Sequence, residues 1–144
     1  MATKILVADD EPEIQKILSN FLTREGYHVA LAANGTETLA VAQQEDPKLI
    51  ILDLKMPGVS GIETCRQLKA QENTWHIPVI VATAFRERVL EAFDAGADDF
   101  VTKPFHLEEL AVRVKSILRI QDLTDELEKS AAYIHELQRN LPQA

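Results

Sequence analysis

A second cysteine is missing from this 144-residue chain, so Cys65 has no intrachain disulfide partner. It reads as a small buried residue on a helix, in keeping with a reducing, cytoplasmic setting. No apolar run approaches the roughly 20 residues that cross a bilayer, so no membrane span is expected. Met1-Ala2-Thr3-Lys4 leads straight into an apolar stretch and lacks a signal-peptide layout. Positive charge is also short. The formal net charge is −8, which argues against direct binding to nucleic acid or anionic membrane. His28, His76, His106 and His135 are scattered, without metal-ligand spacing.

Five short apolar runs alternate with five amphipathic stretches. The runs are Ile5-Leu6-Val7-Ala8, the weaker Val29-Ala30-Leu31-Ala32, Leu49-Ile50-Ile51-Leu52, Val79-Ile80-Val81-Ala82 and the brief Phe100-Val101. Runs one, three and four carry no polar residue, as strands covered on both faces do. Ile14, Ile17, Leu18, Phe21 and Leu22 follow helical spacing, with Pro12 near the start and Gly26 past the end. Asn34-Gly35 predicts a turn before the second helix. Ser60 and Glu63 have capping-box spacing ahead of the third. Val89, Leu90 and Phe93 predict the apolar stripe of a fourth, closed by Gly96. Leu107, Leu110, Val114 and Ile117 predict that of a fifth. This alternation predicts an open parallel α/β sheet with right-handed crossovers.

From about Ser116 the pattern changes. Ile120, Leu123, Leu127, Ser130, Ile134, Leu137 and Leu141 recur at alternating spacings of three and four, a heptad seam with Ser130 as its weak position. A domain over 1–119 is expected, with a helical or coiled-coil extension over 120–144 that Pro142 ends. A two-chain coiled coil is the preferred reading. A helix folded onto its own domain and a frayed tail are the alternatives.

Polar residues stand where the strands should end: Asp9 and Asp10 after the first, Asp53 after the third, Thr83 after the fourth and Lys103 after the fifth. In parallel α/β sheets the reactive crevice lies at those carboxyl ends, at the switch in strand order. If strands one and three are neighbours, the three carboxylates converge. At about 4–5 Å and an effective dielectric of 20, each pair costs about 3–4 kcal/mol, so three cost on the order of 10. Protons or cations must compensate. Lys103 supplies one positive charge, and a divalent ion would supply two. The ligands are all oxygens, which points to Mg²⁺, Mn²⁺ or Ca²⁺ rather than Zn²⁺.

Asp9-Asp10-Glu11-Pro12, Asp53-Leu54-Lys55-Met56-Pro57-Gly58-Val59-Ser60-Gly61, Thr83-Ala84 and Lys103-Pro104-Phe105 together resemble the signature set of response regulator receiver domains, over roughly residues 3–120. The resemblance implies a flavodoxin-like fold with strand order 2-1-3-4-5. It implies that Asp53 takes a phosphoryl group from the phosphohistidine of a sensor histidine kinase or phosphotransfer protein. Asp10, Asp53 and the Lys55 backbone carbonyl would hold Mg²⁺, with Mn²⁺ as a substitute and Asp9 acting through water. Lys103 would pair with Asp53 and then with the phosphoryl group. A cis peptide is implied between Lys103 and Pro104. Thr83 would supply a hydroxyl to a phosphoryl oxygen and, with Phe100 as switch aromatic, remodel the face made by the fourth helix, fifth strand and fifth helix. Lys55 and Phe85 would border the path of attacking water and lengthen the life of the phosphoaspartate. Glu11 is expected to serve helix initiation more than metal binding.

A helix running into a coiled coil often precedes an enzymatic output such as a diguanylate cyclase or serine phosphatase in that family. These 144 residues hold no such domain, which leaves a piece of a longer regulator or a stand-alone one that signals as a homodimer through its C-terminal helix. The chain is expected to be a phosphoacceptor rather than an enzyme, beyond catalysing its own phosphotransfer and slow dephosphorylation. An aspartate-nucleophile phosphohydrolase of the haloacid dehalogenase type needs a second Asp where Lys55 stands. A flavin mononucleotide carrier needs a Ser/Thr/Gly-rich cradle where Asp9-Asp10-Glu11-Pro12 would repel phosphate. A receiver that docks without being phosphorylated is the third rival.

Overall fold

The computed structural model describes residues 2–141 of the 144. The elements run β1 (Lys4–Ala8), α1 (Pro12–Arg24), β2 (His28–Ala32), α2 (Gly35–Glu45), β3 (Leu49–Asp53), α3 (Gly61–Ala70), β4 (Val79–Thr83), a 3₁₀ turn (Arg86–Arg88), α4 (Val89–Asp94), β5 (Asp99–Thr102) and α5 (Leu107–Arg139). The five strands pair in parallel in the order β2-β1-β3-β4-β5. This is the open parallel α/β sheet expected from the strand–helix alternation, in the flavodoxin-like order that the resemblance implies.

Side chains along a strand point alternately to the two faces, and the core divides accordingly. Leu6, Ala8, Ile50, Leu52, Val79 and Val81 pack on one side with Leu39 of α2, Cys65 and Leu68 of α3 and Ala92 of α4. Ile5, Val7, Leu49, Ile51, Ile80 and Ala82 pack on the other with Leu18 and Leu22 of α1 and Leu110 and Val114 of α5. Cys65 is fully buried, and that burial pushes its thiol pKa up to about 11. β2 lies at the sheet edge, where only Ala32 is buried, which accounts for its weaker pattern.

Local signals hold with three corrections. Pro12 is the first residue of α1, and Gly26 follows its end at φ 97°. Asn34 is the N-cap of α2 rather than part of a turn before it: its Oδ1 accepts from the Glu37 N–H at 2.8 Å. Ser60 caps α3 by accepting from the Glu63 N–H at 3.2 Å, but the Glu63 carboxylate goes to Arg66 and Gln67, so only half of the box forms. The α4 stripe is misplaced. Leu90 is 77% exposed, while Ala92 and Ala95 are buried. Small residues let this six-residue helix lie close to α3, where the Cys65 thiol reaches the Ala95 carbonyl at 3.6 Å. The proposed stop at Pro142 lies outside the described residues; α5 ends at Arg139, capped by Asn140.

Candidate functional site

The strand register delivers the polar tips to one edge. Ala8 pairs with Leu52, Asp53 with Ala82 and Thr83 with Thr102. Asp9, Asp53, Thr83 and Lys103 therefore finish at nearly one level, around the β1–β3 junction where strand order reverses. Gln15 of α1 helps hold the tip of β1, donating to the Asp9 carbonyl at 2.7 Å and to that of Ala32 at 3.2 Å. Its place on an amphipathic helix gave no hint of this. At Gly61 a Cβ would collide with the Asp53 and Leu54 backbone, so glycine lets α3 begin directly against the Asp53 loop.

The carboxylates of Asp9, Asp10 and Asp53 offer oxygens that all lie within 4.8 Å of one another. Asp9 and Asp53 are buried, and Asp10 is exposed. The Lys103 ammonium lies 3.0 Å from Asp9 Oδ2 and 3.1 Å from Asp53 Oδ2, so it bridges two acids and not Asp53 alone. The remaining oxygens are also engaged: the Glu11 N–H donates to Asp9 Oδ1 at 2.9 Å, and the Lys55 N–H to Asp53 Oδ1 at 3.1 Å. Glu11 is thus the N-cap of α1 and contributes through its backbone. The Lys103–Pro104 peptide is cis.

Burial holds the Asp53 carboxyl above the usual carboxylate range. The Lys55 N–H and Lys103 pull it down without fully compensating, and the Asp9 charge adds to the rise. Burial works against the Lys103 ammonium too. The hydrogen bond to Asp9 and the charges of Asp53 and Asp9 outweigh it and raise its pKa.

Above the acids opens a crevice of about 280 Å³ whose walls include Asp10, Glu11, Lys55, Thr83, Phe85 and Lys103. Thr83 is buried, and its hydroxyl accepts from the Phe85 N–H at 2.9 Å. The Lys55 ammonium stands 6.0 Å from the centre of the Phe85 ring, and these two sides meet at the mouth. Phe100 lies on β5, away from the crevice, edge-on to Phe93 at 6.0 Å with the Arg113 guanidinium 5.7 Å from its ring centre. The arrangement combines a buried carboxylate, a fixed ammonium, an oxygen-only donor set and a hydroxyl beside an open space.

A family profile described as "Response regulator receiver domain" matches residues 5–115. The transcriptional regulatory protein ResD of Bacillus subtilis is 44% identical over 119 residues, covering 81% of this chain and 48% of the relative. The response regulator PleD of Caulobacter vibrioides is 40% identical over 134 residues, covering 92% of this chain and 30% of the relative. The chain spans about half the length of curated relatives such as ResD and RpaA of Synechocystis. A CheY-like receiver domain protein from Methanospirillum hungatei superposes with a TM-score of 0.81 at 28% identity, covering 86% of this chain and 99% of that one. The chemotaxis response regulator CheY4 of Vibrio cholerae does so at 0.77 and 31%, covering 81% and 99%. Among the described residues no helix is long and apolar enough to cross a membrane. The chain belongs to the receiver domain family of two-component response regulators.

Proposed function

We propose that Asp53 accepts a phosphoryl group from the phosphohistidine of a sensor histidine kinase or phosphotransfer protein. The observation that carries this reading is a buried carboxylate, its pKa raised, held by Lys103 beside two further acids at the mouth of an open crevice. A carboxylate oxygen of Asp53 attacks phosphorus, the phosphorus–nitrogen bond breaks, and its electron pair returns to the imidazole, which leaves neutral because its other nitrogen keeps a proton. Lys103, within reach of Asp53 Oδ2, follows the charge onto the phosphoryl oxygens. Thr83 exchanges its contact with the Phe85 N–H for one of those oxygens.

The oxygen-only donor set fits a hard divalent cation, Mg²⁺ with Mn²⁺ as a substitute. Asp9, Asp10, Asp53 and the Lys55 carbonyl would hold it. When bound, such an ion neutralises charge and aligns phosphoryl oxygens for in-line transfer. Lys55 and Phe85 narrow the approach of water, which favours a long-lived phosphoaspartate.

The new charge draws Thr83 toward the crevice and Phe100 inward, shifting the α4–β5–α5 face between two packings. The receiver unit ends near Arg119. The extension from 120 serves as a dimerisation helix or as a link to an output domain, and nucleic-acid binding, where it occurs, falls to such a domain. A cytoplasmic location follows from a cytoplasmic phosphodonor. Incubation with acetyl phosphate and Mg²⁺ should add one phosphoryl mass to wild type, persisting after donor removal, and none to Asp53→Asn. An adduct on the Asn variant would place the acceptor elsewhere. Rapid loss from wild type would remove the shielding role of Phe85.

A further inference from the structure

Asp9, Asp10 and Asp53 share one crevice, but their carboxylates are not held alike. Lys103 and the Glu11 N–H engage the two oxygens of Asp9, and Lys103 and the Lys55 N–H those of Asp53. Among the described residues, none donates to the Asp10 carboxylate, which is exposed. Its direction is therefore set by the backbone that carries it.

That backbone is fixed from both sides. The Asp9 N–H donates to the Ala32 carbonyl at 3.0 Å, just past the last β1–β2 pair of Ala8 with Ala32. Beyond Asp10, the Glu11 N–H donates to Asp9 Oδ1 at 2.9 Å, and the Glu11 carbonyl accepts from the Gln15 N–H at 3.0 Å as α1 begins. The half-buried Gln15 side chain closes the ring. Its Nε2 donates to the Asp9 carbonyl at 2.7 Å and to the Ala32 carbonyl at 3.2 Å. An amide nitrogen carries two N–H donors, and here it meets two acceptors. The Asp9 carbonyl belongs to the peptide that joins Asp9 to Asp10. That unit is planar, so a donor on its oxygen fixes the plane and the point from which the Asp10 side chain departs.

We propose that Gln15 is a positioning residue for the divalent cation: by holding the Asp9–Asp10 peptide, its carboxamide aims the one carboxylate of the cluster that no donor holds. The inference rests on the reading of the crevice as a cation site. It adds a residue that touches neither the ion nor the phosphoryl group. Mg²⁺ is the ion most sensitive to such aim, because it demands near-ideal octahedral geometry, whereas Ca²⁺ accepts flexible arrangements of more oxygens. A misdirected Asp10 therefore weakens Mg²⁺ more than Ca²⁺. A chain that is merely loosened loses folded population, which weakens both ions by the same factor.

Calorimetric titration of the full chain with Mg²⁺ and, separately, with Ca²⁺ tests this. Gln15→Met keeps the length and the charge of the side chain site and removes the N–H donors. It should weaken Mg²⁺ by about tenfold, as loss of an outer partner of a metal ligand does, and Ca²⁺ by less than about threefold. Val114→Ala, a core residue of α5 outside the crevice walls, supplies the baseline of a purely structural loss and should keep the wild-type ratio of the two affinities. That ratio does not depend on the folded fraction, so partial unfolding of a variant leaves it readable. A Gln15→Met ratio equal to that of Val114→Ala overturns the positioning role and leaves the cation site in place. Wild type that binds no Mg²⁺ overturns the cation reading and this inference together.

Discussion

The crevice and the second half of α5 reverse the usual rule in opposite senses. At the crevice, charge is buried: Asp9 and Asp53 are almost inaccessible, yet every oxygen has a donor from Glu11, Lys55 or Lys103. Along the extension, bulky apolar groups are exposed and nothing among the described residues covers them. The first departure is balanced from within the fold, at the cost of one unresolved repulsion among three acids. The second has no internal compensation, since α5 runs as a single helix of 33 residues, about 50 Å, well past the sheet. A chemical centre needs a fixed frame, and a contact surface needs to be left open.

The largest expected effect separates the two halves of α5. Leu110 is fully buried between α5 and the sheet, so Leu110→Ala should cost about 2–5 kcal/mol in denaturant unfolding. Leu127 is 71% exposed, so Leu127→Ala should change the unfolding of the dilute protein by less than about 0.5 kcal/mol. Any larger loss at Leu127 should appear only as protein concentration rises, because the partner then enters the equilibrium. A concentration-independent loss at Leu127 equal to that at Leu110 would mean the extension packs on its own domain.

The next effect sharpens the crevice side. A divalent cation that binds only the folded chain adds stability by mass action, about 2.7 kcal/mol at a hundred times its dissociation constant. Thermal unfolding with and without Mg²⁺ reads this directly. Asp10→Asn removes one of the three clustered carboxylates while leaving the buried Asp9–Lys103–Asp53 pairs in place, so most of the Mg²⁺ increment should vanish. Full retention of the increment would move the ion away from this cluster.

The two regions were also unequally readable in the sequence. The strands of the core announce themselves as wholly apolar runs, and Asp9, Asp53, Thr83 and Lys103 stand just where those runs stop. Parallel pairing with in-register ends then makes convergence almost unavoidable. What sequence reading missed depends on contacts between distant segments. The second acid on Lys103, the reach of Gln15 over two carbonyls and the alanine face of α4 have no local signature. In α4 the local signature misled, because Leu90 and Phe93 look like core until Ala92 and Ala95 are seen against α3. The heptad was visible from its spacing, but its place off the domain-facing side became clear only once Leu110 and Val114 were known to be the buried positions.

The smallest effect concerns the repulsion left in the crevice, and its sign is fixed by linkage. The pKa of Asp53 in the folded chain lies above its unfolded value, chiefly through burial. The folded state therefore holds this proton more tightly, and its stabilising contribution is complete below the ordinary carboxylate range and lost as pH rises through the raised value. Asp53→Asn never ionises, so without metal it should be more stable than wild type at neutral pH. The advantage should shrink as pH falls, reaching its minimum once Asp53 is protonated in both folded and unfolded chains. Lys103 acts in the opposite range: its raised pKa contributes stability below the ordinary lysine value that is lost only at strongly alkaline pH, so it does not mask the acid limb. Parallel urea titrations of the two proteins from pH 7 down to pH 4 isolate the difference. An Asn variant less stable than wild type at pH 7 would mean that Lys103 and the Lys55 N–H more than compensate the buried charge, and the crevice would then hold no residual repulsion for a cation to relieve.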